Sequence, residues 1–222
     1  MSLLARLLTI PLVAALVIAG VWVTGGVISN DYRLSMALTA VWFVVAGVAC
    51  VIVARHSRPL RFPVLAAYLV TAALVGGYLG LSTLRDRVVD ERVVMAAAPS
   101  AVEPASGSAE PRNVQLAVGR FRSHEHETNG TANVVRLADA RRFLTLTSFA
   151  TSAGPDLRVR LVPGDTSDGD ASGSIDLGAL KGNRGDQQYE LPRRAALAGR
   201  TVVIWCRAFS APFGSAPLRR AV

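Results

Sequence analysis

Apolar residues are concentrated in three stretches within the first 84 positions, at about Leu7 to Ile28, Leu34 to Ala54 and Phe62 to Leu84. None contains an Asp, Glu, Lys, Arg or His. About 20 helical residues cross ~30 Å of hydrocarbon, so each stretch predicts a transmembrane helix. The first resembles a signal peptide only in having Arg6 before an apolar run. It is too long for one, and the second stretch follows without a convincing cleavage site. It is read as a retained helix.

Past Leu84 the pattern breaks twice. Residues 85–113 read as a flexible tether. The run from Ala96 to Pro111 is rich in Ala, Pro, Ser and Glu and poor in large apolar side chains. An Ala triplet, Ala96-Ala97-Ala98, is a weak candidate for peptidase cleavage. From Val114 to Val222 the period shortens to two. Leu157-Arg158-Val159-Arg160-Leu161 alternates strictly, as a half-buried strand does. Phe143–Phe149, Gln187–Leu191 and Thr201–Phe209 read as further strands. Asn129-Gly130 predicts a hairpin turn, and Gly154-Pro155-Asp156 a second tight turn. Pro163 to Gly173 reads as a polar loop. The fold class is therefore membrane-anchored: three transmembrane α-helices followed by an all-β antiparallel sandwich domain.

Charge follows the same division. Of 24 basic and 16 acidic residues, the first 84 positions hold only Arg6, Asp31, Arg33, Arg55, Arg58 and Arg61. Short Lys/Arg-rich loops stay in the cytoplasm. Arg55, Arg58 and Arg61 then place the second loop and the N-terminus inside and the C-terminal domain outside. The net charge of +8 comes almost entirely from Arg, with Lys181 the single lysine. Together with the Ala and Val content, this suggests a GC-rich bacterial gene. No basic run is interleaved with aromatics, so nucleic acid is not an expected partner. The expected partners are the lipid bilayer and an unknown redox or surface protein. No ionisable group inside the spans marks an ion path. Gly76, Gly77 and Gly80 suggest close helix packing, with a dimerisation face as the alternative. Cys50 reads as a small apolar filler.

Chemistry has few candidates. Cys50 and Cys206 fall in different compartments, which leaves Cys206 without a disulfide partner in the outer domain. On its strand Cys206 shares the more apolar face with Val202, Ile204 and Ala208, which predicts a buried thiol. His124-Glu125-His126 would point two imidazoles to one face of a strand. With a thiolate from elsewhere, these are candidate metal ligands for copper or zinc. The alternative is a solvated hairpin arm. Asp165, Asp168 and Asp170 lie close together, but their spacing does not match a Ca²⁺ loop. No Gly-x-Ser-x-Gly elbow, P-loop or dinucleotide fingerprint is present.

Several segments of the outer region occur in a characteristic order. They are Gly119-Arg120-Phe121, Asn129-Gly130-Thr131-Ala132, Gly154-Pro155-Asp156-Leu157 and Leu180-Lys181-Gly182-Asn183. Then come Gln188-Tyr189-Glu190-Leu191-Pro192, Ile204-Trp205-Cys206-Arg207-Ala208-Phe209 and Phe213-Gly214. This order resembles the DM-thirteen domain, a family named for predicted electron transfer, over about Val114 to Arg220. The resemblance implies a β-sandwich. It also implies that Cys206 is the family's characteristic cysteine, a redox thiol or a ligand to a prosthetic group. The cofactor stays open, with haem and copper as candidates. The resulting expectation is a membrane-tethered extracytoplasmic module with a redox role centred on Cys206. The alternative is a non-enzymatic binding or assembly module in which the cysteine is structural.

Overall fold

The computed structural model describes residues 3–96 and 112–221. Two compact units are present, Met1–Arg85 with Arg207–Ala211, and Asp86–Cys206 with Pro212–Val222.

The first unit is built on α1 (Leu3–Gly26), α2 (Tyr32–His56) and α3 (Arg61–Leu84), all long and apolar enough to cross a membrane. Asp31 starts α2 by accepting the Leu34 N–H at 2.7 Å, which satisfies one of the donors a helix start leaves open. Val13, Val17, Ala46, Cys50, Val64 and Ala67 pack between the helices. The Trp42 and Tyr68 rings occupy the space left by Gly20 and Gly47. Their polar ends donate to the backbone, Trp42 Nε1 to Val17 O at 3.2 Å and Tyr68 OH to Phe43 O at 2.7 Å. The outward positions are apolar too, including Leu12, Trp22, Val44, Phe62 and Leu74. Helices apolar on all sides suit a lipid surround. Gly76, Gly77 and Gly80 play no part in the packing described, since an added Cβ at any of them meets nothing within 4 Å.

The second unit is two five-stranded sheets. One runs β10-β1-β3-β4-β7, with β1 Val114–Arg120, β3 Asn129–Arg136, β4 Arg142–Ala150, β7 Gln187–Leu191 and β10 Arg219–Arg220. The other runs β2-β9-β8-β5-β6, with β2 Arg122–Ser123, β5 Leu157–Pro163, β6 Ile175–Ala179, β8 Arg200–Cys206 and β9 Ala211–Pro217. The pairings in register are antiparallel. Ala132, Val134, Leu144 and Leu146 of one sheet and Val159, Leu161, Val202, Ile204 and Phe213 of the other are fully buried.

Three details depart from the sequence pattern. Asn129-Gly130 is not a two-residue hairpin turn. It opens β3 at a bulge, with Gly130 at φ +117° and no room for a Cβ over the Phe149 backbone. The chain reverses earlier, because β2 leaves to pair with β9 in the opposite sheet. Second, β8 is buried on both faces. Its outer residues Val203 and Trp205 cluster with Val162. The loop between β5 and β6 comes down on them, with Gly169 against the Trp205 ring. Arg160 holds that loop, donating to Gly169 O, Asp170 and Ser174.

Third, the segment expected as tether is ordered where it begins. Residues 86–95 run beside the chain entering β7. The Val89 N–H donates to Arg184 O at 2.9 Å, the Glu91 N–H to Asp186 O at 2.9 Å, and the Arg184 N–H to Arg87 O at 3.3 Å. β7 is an edge strand, and edge strands leave backbone groups that need a partner. The low hydrophobicity that suggested a tether begins only after Met95. Ala97, Ala98 and the rest of that run to Pro111 lie outside the described residues.

Candidate functional site around Cys206

Cys206 is the last residue of β8, opposite Leu157 in β5. Its relative exposure is 0%. The thiol donates to Pro155 O at 3.1 Å. A carbonyl oxygen accepts from S–H and offers no donor to a thiolate, so this contact favours the protonated form. The acceptor is positioned by the Gly154-Pro155-Asp156 turn that starts β5, where Asp156 takes φ +53°. Gly154 is required for close approach: its Cβ would stand 2.7 Å from Phe213 Cζ.

Phe213, in β9, extends the cluster. Its ring lies against the His126 ring with centroids 4.0 Å apart. Its carbonyl accepts from Thr128 Oγ1 at 3.1 Å, and Thr128 Oγ1 lies 2.9 Å from Thr151 Oγ1. A Cβ at Gly214 would meet the Thr128 side chain at 2.6 Å. The Thr151 N–H donates to Asn183 O at 2.8 Å, and Asn183 Nδ2 donates back to Thr151 O at 3.0 Å. Four segments distant in sequence are thus tied together, namely 154–157, 182–183, 205–206 and 213–214.

The proposed metal ligands are placed differently. His124 is exposed and its Nε2 is 2.8 Å from Ser215 Oγ. His126 is half-buried against Phe213. Among the described residues, no three His, Cys, Asp or Glu side chains are grouped to hold a metal ion. Cys206 therefore does not join His124 and His126 in a three-ligand set. The acidic loop is committed internally: Asp170 pairs with Arg160, and Asp168 Oδ1 accepts the Asp170 N–H.

Sequence reasoning missed a polar network beside this cluster. Gln187 is fully buried. Its Oε1 accepts from the Lys181 N–H, the Gly182 N–H and Tyr189 OH, and its Nε2 donates to Gly182 O. Burial pushes the Tyr189 phenol up to about 12. Lys181 pairs with Glu91 at 2.7 Å. Burial tends to raise the Glu91 carboxyl, but the Lys181 ammonium and the Gln188 N–H outweigh it and hold it below its usual range. The Leu180–Asn183 motif was the available signal. Gln187 and Tyr189 lie within eight residues of the motif, but its partners Thr151, Glu91 and Asp86, 32 to 97 residues away in sequence, were not legible.

Residues 120–218 match the family model described as Electron transfer DM13. The match covers the strands from β2 to β9 and every segment of the Cys206 cluster, and it begins after the three apolar helices. No curated protein and no solved structure matches the chain.

Proposed function

We propose that the protein is a membrane-anchored module for electron transfer. Its three helices hold a β-sandwich outside the membrane, and Cys206 is the functional centre of that sandwich. The observation that carries this reading is the convergence of the family's ordered motif segments on one thiol. The family match supplies the electron-transfer class. Arg55, Arg58 and Arg61 support an N-in, C-out orientation by charge.

In the arrangement described the thiol is shielded and hydrogen-bonded, so Cys206 acts only when the Gly154–Asp156 turn or the end of β8 opens. An amide carbonyl cannot take up the proton, so oxidation of the sulfur requires both a base for the proton and an electron acceptor for the electron, reached through that opening. Full burial also favours a second reading, in which the thiol is a core element of a binding module. Visible absorbance and a redox titration of the full-length protein in detergent, compared with Cys206→Ser, test the two. A chromophore or reversible couple lost with the thiol supports electron transfer. An identical, featureless trace from both proteins, with the thiol labelling only after denaturation, supports the structural reading.

A further inference from the structure

The segment that leaves α3 lies in a fitted groove. Gly182 and Gly185 form its floor: a Cβ at Gly182 would stand 2.5 Å from Arg87 O, and one at Gly185 would strike the Val89 carbonyl. Gly185 also holds φ +96°, a backbone conformation that side chains disfavour. Side chains read the segment at both ends. Asn183 Oδ1 accepts the Arg87 N–H at 2.6 Å, and its Nδ2 donates to Asp86 Oδ1 at 2.8 Å. Lys181 Nζ donates to both Glu91 oxygens, and Glu91 Oε2 accepts the Gln188 N–H at 3.0 Å. Gln188 Oε1 then accepts the Val94 N–H at 2.9 Å, and Met95 O accepts from Asn113 Nδ2 at 3.1 Å.

We propose that residues 181–188 form a strand-accepting groove whose occupant is the chain's own segment 86–95, and that this contact holds the β-sandwich to the helices independently of the covalent link through residues 97–111. Parallel backbone pairing fixes the direction of the occupant, the two glycines admit its backbone, and Lys181 and Asn183 select its carboxylates. Strand addition to a sheet edge is a general mode of peptide recognition, here used within one chain. The inference does not rest on electron transfer or on membrane orientation. It alters what cleavage near Ala98 should do: the cut should nick the protein without releasing a soluble domain.

The test uses the full-length chain in detergent, with an N-terminal affinity tag and a specific protease site introduced after Gly107. After complete cleavage and capture on the tag, the C-terminal fragment is expected to elute with the N-terminal part. Val89→Pro combined with Glu91→Pro deletes two N–H donors from the occupant and changes no residue of the fragment. The loss of two backbone hydrogen bonds and the Glu91 pair is expected to lower retention by about tenfold or more. Release of the fragment from the unaltered protein would overturn the proposal. So would equal retention in the proline variant, because other contacts would then account for it.

Discussion

Replacing the Cys206 thiol by a hydroxyl is the perturbation that best separates a core residue from a functional one. Cys206→Ser keeps a donor in a site with no solvent exposure. The sulfur already stands 3.1 Å from Pro155 O, and the shorter C–O bond draws the donor back. An O–H···O bond needs about 2.5–3.0 Å, so the serine hydroxyl is only partly satisfied unless the turn shifts. A buried hydroxyl short of a partner costs roughly 1–3 kcal/mol. For a domain of this size each kcal/mol lowers the melting temperature by roughly 4–8 °C, so a fall of about 8–16 °C is expected for a central cost of about 2 kcal/mol. Intrinsic fluorescence can follow the transition, because Trp205 is the one tryptophan outside α1–α3. Thiol labelling without denaturant, measured on the wild type in parallel, gives the rate at which the site opens. A substitution that leaves the melting temperature within about 2 °C, paired with fast labelling of the native protein, would refute the shielded geometry.

Other consequences follow from the same contacts. The Tyr189 phenol is raised to about 12, so its burial contributes stability fully below its ordinary value of 10.0 and loses it as pH rises through 12. Tyr189→Phe should flatten that alkaline decline in a series of denaturant midpoints against pH, and an unchanged decline would contradict the assignment. Glu91 is held below its ordinary value of 4.5, so its pair with Lys181 stabilises above that value and fades as pH falls through the lowered one. With side-chain exposures of 31% for Glu91 and 41% for Lys181, solvent screening keeps the effect under about 1 kcal/mol. Glu91→Gln should remove the acid dependence without a large loss at neutral pH, and a dependence that persists in the variant would reject Glu91 as its source. Arg160→Ala should free the loop over Trp205, and acrylamide quenching of that indole should rise. Unchanged quenching would show that the loop is held by something else.

The local part of this architecture was written in the sequence. Three uncharged stretches of about 20 residues or more predict long apolar helices, because each helix satisfies its own backbone hydrogen bonds. The alternation at Leu157–Leu161 and the apolar run at Thr201–Phe209 predict strands, because side chains on a strand alternate in direction whatever it pairs with, and the strand formed over the second run ends at Cys206. Burial of Cys206 followed from its apolar face. What the tertiary structure decided were pairings between segments distant in the chain. Alternation along β8 sets Trp205 and Val203 on the face opposite Cys206, but only the fold brings Gly169 and the Arg160 clamp over them. Asn129-Gly130 carries a turn signal, yet the pairing of β2 with β9 draws the reversal earlier and leaves Gly130 as a bulge. His124 and His126 have ligand-like spacing, but β9 offers them Ser215 and Phe213. Residues 86–95 mix five charged side chains with four valines and a methionine and show no strand or helix period, and hydropathy cannot register that an extended segment can satisfy its backbone on a sheet edge. The glycines that make room for it, Gly182 and Gly185, stand almost 100 residues away, and only folding reveals what they accommodate.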